Sequence, residues 1–450
     1  MGFSPSGGNI SGAGDVALNN PVTNHVLTYD ATLAKWKNAP ATAGSGSGMS
    51  RKAWEDASRS LYAVAPSQES GLSAIAADAS TDDAPRIQAM LNYIKATYGG
   101  GQLLLPIGKT SNCNSTITIP AGVQVVGSST SRWDFWYAGT SVTAVVINDN
   151  DFTPIIGLKV TCIQWEANNT GANVTTCVGL NIKGHGLNFR DVHIAGFNWG
   201  IDFTNDDTYI VSFEQSSIIG CMVAINLDLS NSWTGASTTV TNSGERMSFT
   251  DCVIANGDTV YWATGNGVGL YFVHTSMDFN NQYGRQQNAH VFFDNCHLES
   301  TGGGDNAAYM FDLSVNPRLY MTNCGFITGN PGIYHAINPA NAPWNYGSGM
   351  AHFTNCYAHH NMTAAASSAG AVGSAFSEAM IAVPANATTI TVASFFVSKW
   401  TAVKVNMTAT DGNVGGALTA RISAMNVANG TVTVTLSAPA PAGTFIELNF

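Results

Sequence analysis

The sequence predicts an all-β protein built as a parallel β-helix, with a helix capping its N-terminal end and a small antiparallel β domain at its C-terminal end. Three observations carry this. First, one short pattern recurs: an apolar residue or pair, a polar residue, commonly Asn or Asp, often then Cys, and an apolar residue two further on. It stands at Asn188–Ala195, Ser212–Ile219, Ser248–Ala255, Tyr271–Asp278, Phe292–Glu299, Tyr320–Ile327 and His352–His359. Second, its Cys position, at Cys252, Thr275, Cys296, Cys324 and Cys356, returns every 20 to 30 residues or so, the sign of a solenoid whose units cannot bury their own apolar faces. Third, the apolar residues alternate with polar ones over short runs, the period of a strand, and no long helical spacing crosses them.

Each repeat is then one coil, and the Asn or Asp before the Cys suits a left-handed bend between strands. Equivalent residues of successive coils stack about 4.8 Å apart. With Cys296 and Leu298 inward, His297 and Glu299 face out. In the preceding coil Thr275 and Met277 face in, and Ser276 and Asp278 out. Asp278 and Glu299 therefore share one outward column on adjacent coils, with His297 beside them. Two carboxylates that close can supply one protonated acid and one ionised partner, as glycoside hydrolysis needs, and about 5–5.5 Å suits a retaining mechanism. Glu299 is expected to act as general acid and Asp278 as nucleophile or base. Glu214 and Asp294 share another polar column, and Glu245 precedes the Ser248 coil; these are the reserve carboxylates. A lyase would need a base such as His297, a Lys or a Tyr, and Arg285, Arg318 or a cation to neutralise a uronate, but basic residues are few.

Composition narrows the function. Only 10% of the 450 residues are charged, and Lys+Arg 18 against Asp+Glu 29 gives a net charge of −11, which argues against nucleic acid and against an anionic membrane surface. No apolar run is long enough to span a membrane, so no membrane insertion is expected. Met1–Gly8 has no basic segment followed by an apolar core, so no secretory leader is expected. Four of the eight Cys occupy the inward column, which favours buried thiols over a disulfide framework. No cofactor or metal is expected, and Asp82-Asp83 is read as helix capping.

Residues 1–66 read as an extended N-terminal region and linker, with Arg51–Ala63 as a short helix. Residues 67–375 form the β-helix. Ser80–Asp83 offers N-caps, Pro85 suits a first turn, and Ile87, Met90, Leu91 and Ile94 make one apolar stripe before Gly99-Gly-Gly101. Strands follow at Gln102–Pro106 and on both sides of a Pro-Ala-Gly turn in Ser115–Gly127. Such a helix caps the open end of a β-helix core. Residues 376–450 alternate with period two in about five runs, at Thr388, Ala402, Leu418, Thr431 and Thr444, a small antiparallel β domain.

Thr81–Ala84, the amphipathic helix, Gly99–Pro106 and Ile119–Gly127 resemble the opening segment of the pectate-lyase-like right-handed, single-stranded β-helix superfamily. One departure is Ile107-Gly-Lys-Thr, where the family usually has Gly-Thr-Tyr. Asn295–Glu299 and Met277–Asn280 resemble coils of bacteriophage tailspike and tail-fibre glycan depolymerases, and Asp15–Asn38 resembles a virion-attachment segment of phage tail fibres. The resemblance implies a homotrimer on a phage tail or baseplate, located in the virion, that binds and depolymerises a bacterial surface polysaccharide. Residues 376–450 would then serve trimerisation or glycan binding. A non-catalytic receptor-binding adhesin, a structural tail component and a polysaccharide lyase on the same fold are the alternatives. Trp262, Tyr283, Arg285, Arg318, Trp233 and Trp344 are the expected substrate-binding residues, on coils and insertions flanking the carboxylates. The aromatic cluster Arg132–Tyr137 is read as packing a capping loop.

Overall fold

The computed structural model describes residues 16–17, 25–30, 35–40, 50–127, 133–137, 143–149, 154–162, 177–229, 240–300, 309–328, 335–337, 350–359, 372–374, 377–394, 404–409, 419–426, 430–442 and 444–449. The chain divides into two compact units. One comprises Met1–Ser58 with Ser67–Gly71, the other Arg59–Pro66 with Leu72–Phe450.

In the smaller unit, His25–Asp30 and Lys35–Pro40 pair antiparallel, and Val16–Ala17 joins the latter strand in parallel. A helix spans Arg51–Ser58. Its Glu55 is fully buried and accepts hydrogen bonds from the backbone N–H and the hydroxyl of Ser67, so the buried charge is met by donors. The helix is shorter than the sequence suggests, because Arg59 turns left-handed at φ 51° and Ser60–Tyr62 is a strand.

The larger unit is a right-handed parallel β-helix. Among the described residues a typical coil contributes three short strands to three parallel ribbons, while Val178–Arg190 runs unbroken from the third ribbon into the first. The coil containing Asp278 shows the plan: Gly269–Val273, Ser276–Asn280, then Gln282–Gln287. Every strand pairs with its equivalent one coil away, as Tyr271 with Phe292, Ser276 with His297 and Arg285 with Asp312. The bend between the first and second strands is a ladder of left-handed residues: Asp191, Gln215, Asp251, His274, Asn295, Asn323 and Asn355, all with φ between 50° and 55°. Five of these seven are Asn or Asp, which fits, since their side chains tolerate that conformation best among residues with a Cβ.

Inside, Phe189, Phe213, Phe249, Phe272 and Phe293 stack rung on rung, with ring centroids 4.4, 5.1, 5.5 and 4.8 Å apart. Replacing one by Ala removes about 3–5 kcal/mol of burial and packing. The Cys positions fall inward as expected: all eight Cys are buried and none forms a disulfide. Burial raises the Cys252 thiol to about 11 and the Cys221 thiol to about 12, so both are inert thiols.

The capping helix spans Ala84–Tyr98, and Ile87, Met90, Leu91 and Ile94 are completely buried. Gly99 ends it at φ 73°. Asp83 sits at the N-cap position but does not cap with its side chain. Its carboxylate accepts from the backbone N–H of Ala76 and Ala77 and pairs with Arg86, at 2.8 Å each; the preceding loop wins the donor competition. Phe135 and Tyr137 are core residues of the strand Phe135–Tyr137, in keeping with a packing role.

Toward the C-terminus two sheets form. One orders Val372–Ser374, Thr389–Ser394, Thr431–Leu436 and Ala420–Asn426; the other orders Glu378–Ala382, Thr444–Asn449 and Lys404–Ala409. All pairings are antiparallel except that of Val372–Ser374 with Thr389–Ser394.

Candidate functional site

The site lies on the second ribbon, where strands Ser276–Asn280 and His297–Ser300 pair in register. Asp278 is directly opposite Glu299, and Ser276 opposite His297. Met277 and Leu298 point into the core and are fully buried, which drives the flanking polar residues outward. His297 Nε2 lies 3.7 Å from an oxygen of Asp278 and 3.7 Å from one of Glu299. That is ion-pair range for an imidazolium and beyond a hydrogen bond. The three side chains are a quarter to two-fifths exposed, at 25% for Asp278, 32% for Glu299 and 39% for His297, so they are open to a substrate yet partly shielded from water.

The strand holding Asp278 departs from simple alternation. Register slips between Asp278 and Asn280, and Phe279 takes a left-handed φ of 59°. Alternation would bury Phe279 and expose Asn280. The bulge reverses this: Phe279 is 45% exposed and Asn280 is buried. Asn280 is secured by donating to the Ile254 carbonyl at 2.8 Å and accepting from the Gly257 N–H at 3.0 Å. A bulky aromatic in this conformation is a strained arrangement of the kind found at functional sites.

Two further residues join the site without having been singled out from the sequence. Ser276 donates its hydroxyl to Asp278, 2.9 Å from each carboxylate oxygen. Tyr357, 44% exposed, leans over Gly325, the residue opposite both Tyr357 and His297 in the ladder. A Cβ on Gly325 would meet the Tyr357 ring at 2.8–2.9 Å, so the missing side chain makes room for the ring. The signal was available in the column order, since Gly325 and Tyr357 follow His297 in the recurring pattern.

Other expected site residues are placed elsewhere. Tyr283 is not on a groove wall. It is fully buried, its hydroxyl donating to the Met277 carbonyl at 3.3 Å, and burial, followed by Asp278 and Glu299, raises its phenol well above the ordinary value. The ring therefore backs the site from inside. Trp262 is 9% exposed on the third ribbon, with the Arg285 guanidinium 5.7 Å from its ring centroid, a cation–π pair. Arg285 also donates to Gln282 at 3.1 Å. Arg318 is on the first ribbon opposite His290, whose pKa is lowered by desolvation and by that cation.

Glu214 and Asp294 do share a first-ribbon column, but Thr250 and Val273 intervene, which separates them by roughly 14 Å. Glu214 accepts from Asn188 at 3.3 Å, and Glu245 is exposed ahead of the strand Met247–Thr250. None of the three joins Asp278 and Glu299 in the ladder. Trp233 and Trp344 lie outside the described residues.

Chemically, the arrangement offers two carboxylates and an imidazole with a ligand atom each, all within 4.8 Å of one another. It can exchange protons and place a nucleophile, and the same three atoms can bind a divalent cation with positions left open.

No family model matches the chain. Solved structures similar in fold include a mutant DFA-IIIase of Arthrobacter chlorophenolicus A6 in complex with DFA-III. It is 10% identical over 67% of this chain and 85% of that one, with a TM-score of 0.45. PfbA, a surface adhesin of Streptococcus pneumoniae, is 10% identical over 67% and 79% of the two chains, with a TM-score of 0.41. A mutant tailspike protein of E. coli bacteriophage HK620 is 10% identical over 95% and 96%, with a TM-score of 0.31. These are likenesses of fold. The protein's class is that of the right-handed parallel β-helices carrying a C-terminal antiparallel sheet.

Proposed function

We propose that the protein is a glycoside hydrolase that binds and depolymerises a bacterial surface polysaccharide, with Asp278 and Glu299 as its catalytic pair. The observation that carries this is their direct pairing across adjacent coils with His297 Nε2 at 3.7 Å from each. An oxygen of Asp278 and one of Glu299 lie within 4.8 Å, a spacing that supports a retaining over an inverting mechanism. Glu299 protonates the glycosidic oxygen as the leaving group departs. Asp278, oriented by Ser276, attacks the anomeric carbon. Glu299, now a base, then activates the water that releases the glycosyl group. The exposed rings of Phe279 and Tyr357 are suited to stacking on sugar faces.

The finer reading is a phage tailspike: a homotrimer attached to the tail through its N-terminal segment. It rests on the sequence resemblance of residues 15–38 and of the coils around Asp278 and Glu299. Reducing-end release from purified bacterial polysaccharide tests the activity. A pure binder retains glycan without releasing ends. Absorbance from an unsaturated uronic acid in place of simple reducing ends would replace hydrolysis by elimination.

A further inference from the structure

We propose that Ser217, His193 and Asp191 form a second catalytic centre on the same ribbon, one that hydrolyses small acyl esters. The His193 Nε2 lies 3.0 Å from an oxygen of Asp191, and Nδ1 lies 2.6 Å from the Ser217 hydroxyl. A carboxylate only accepts, so Nε2 carries the proton and Nδ1 presents its lone pair to the hydroxyl. The result is a nucleophile hydrogen-bonded to a base that is oriented by an acid, recognised by geometry and role. The ring is reversed relative to the usual arrangement, in which Nε2 faces the serine.

The fold builds this chain from three fixed positions. Asp191 is the left-handed bend residue of its coil. His193 begins the strand His193–Ala195, and Ser217 begins Ser217–Ile219, directly opposite it. The Ser217 N–H donates to the Val192 carbonyl at 2.9 Å, and the Val192 N–H to the Ser216 hydroxyl at 3.1 Å, so the two strands cannot slip. The other serine–histidine neighbours of this column, Ser276 and His297, differ, because the Ser276 hydroxyl is committed to Asp278.

Ser217 is only 9% exposed, whereas Val253, next in the column, is 40% exposed. A narrow approach with an apolar neighbour selects a short acyl group such as acetyl. In the reaction Ser217 Oγ attacks the ester carbonyl carbon while its proton passes to Nδ1. The bond to the alcohol oxygen breaks, and the alcohol leaves with that proton. Water then attacks the acyl-serine, again giving a proton to Nδ1, and the carboxylic acid departs as Ser217 regains its hydroxyl. The Ser217 N–H is already taken by Val192, so the usual backbone oxyanion donor is occupied and turnover is expected to be slow.

The column runs Ser217, Val253, Ser276, His297, placing this centre roughly 14 Å from His297. Its natural substrate would be an O-acylated polysaccharide lying along the ribbon; that clause alone rests on the glycan reading. The test uses the full chain with a fluorophosphonate probe, followed by peptide mass mapping, together with p-nitrophenyl acetate hydrolysis. One adduct on Ser217 is expected, absent in Ser217→Ala. Adduct formation and acetate release should fall about 10²-fold or more in His193→Gln. Asp191→Asn should shift the pH profile as a positioning residue. Glu299→Gln should label normally, and Ser217→Ala should cleave polysaccharide normally, so that failure of either centre is read separately. A folded wild-type chain, with an unaltered melting curve, that acquires no Ser217 adduct overturns the proposal.

Discussion

The hydroxyl of Ser276 bridges both oxygens of Asp278 at 2.9 Å, so the carboxylate is aimed by a residue two positions before it on the same strand. Ser276→Ala is expected to lower kcat about tenfold, the scale of one hydrogen bond to a charged group, with KM nearly unchanged. Ser276→Thr should restore the rate. Equal kcat in wild type and Ser276→Ala would remove Ser276 from any role in orienting Asp278.

Asp278→Asn and Glu299→Gln should each reduce polysaccharide cleavage by about 10²–10⁴-fold while leaving glycan binding and melting temperature intact. Rates within twofold of wild type for both, against that expectation, would end their assignment as the pair.

Gly284 has no room for a methyl group. A Cβ there would meet the Tyr261 ring at 2.1 Å, and Tyr261 is fully buried with its hydroxyl donating to Gln286. Gly284→Ala should destabilise by about 1–3 kcal/mol or more. The double variant with Tyr261→Phe should gain little back, because the clash is with the ring. Chemical denaturation of the three chains checks both expectations.

Asp202 is buried and accepts from Thr204, Asn226 and Asn181. Burial raises its pKa above the ordinary carboxylate value despite those donors. The folded chain therefore holds this proton more tightly than the unfolded one. The group's contribution to stability is full below about pH 3.9 and is lost as pH climbs through the raised folded value. The melting temperature of Asp202→Asn relative to wild type should accordingly rise with pH from 4 toward neutrality. A difference independent of pH would contradict the assignment.

Cys296 is buried in the inward column. Cys296→Ser should cost about 1–3 kcal/mol, a polar group placed in an apolar stack, with activity per folded molecule retained. Thiol labelling of the native chain should be slow at all eight Cys until denaturant is added; fast labelling at Cys296 would show that its coil opens.

The register of the solenoid was legible because two simple periods coincide. Alternation along each strand placed Cys296, Leu298 and Met277 inside, and the spacing of the repeats put Asp278 opposite Glu299. The bends were legible from Asn295, Asn323 and Asn355, whose side chains suit the left-handed conformation they adopt. What alternation could not foresee is where it breaks. Phe279 is outward only because of a bulge, which Asn280 secures through long-range bonds to Ile254 and Gly257. Tyr283, on the next strand, is fully buried rather than lining a groove. Asp83 looks like a cap locally, yet its partners come from a loop whose path is set by the coil. The His193–Ser217 hydrogen bond depends on a ring orientation that pattern does not encode.

The left-handed ladder of bends also divides the chain into positions where length is tolerated and positions where it is not. One residue added inside His297–Ser300 would exchange Leu298 for Glu299 at the core face and erase the site. One added where a coil already widens between its strands shifts no rung. Insertions at those wider turns can therefore change what approaches Asp278 and Glu299 without moving the paired rungs that hold them.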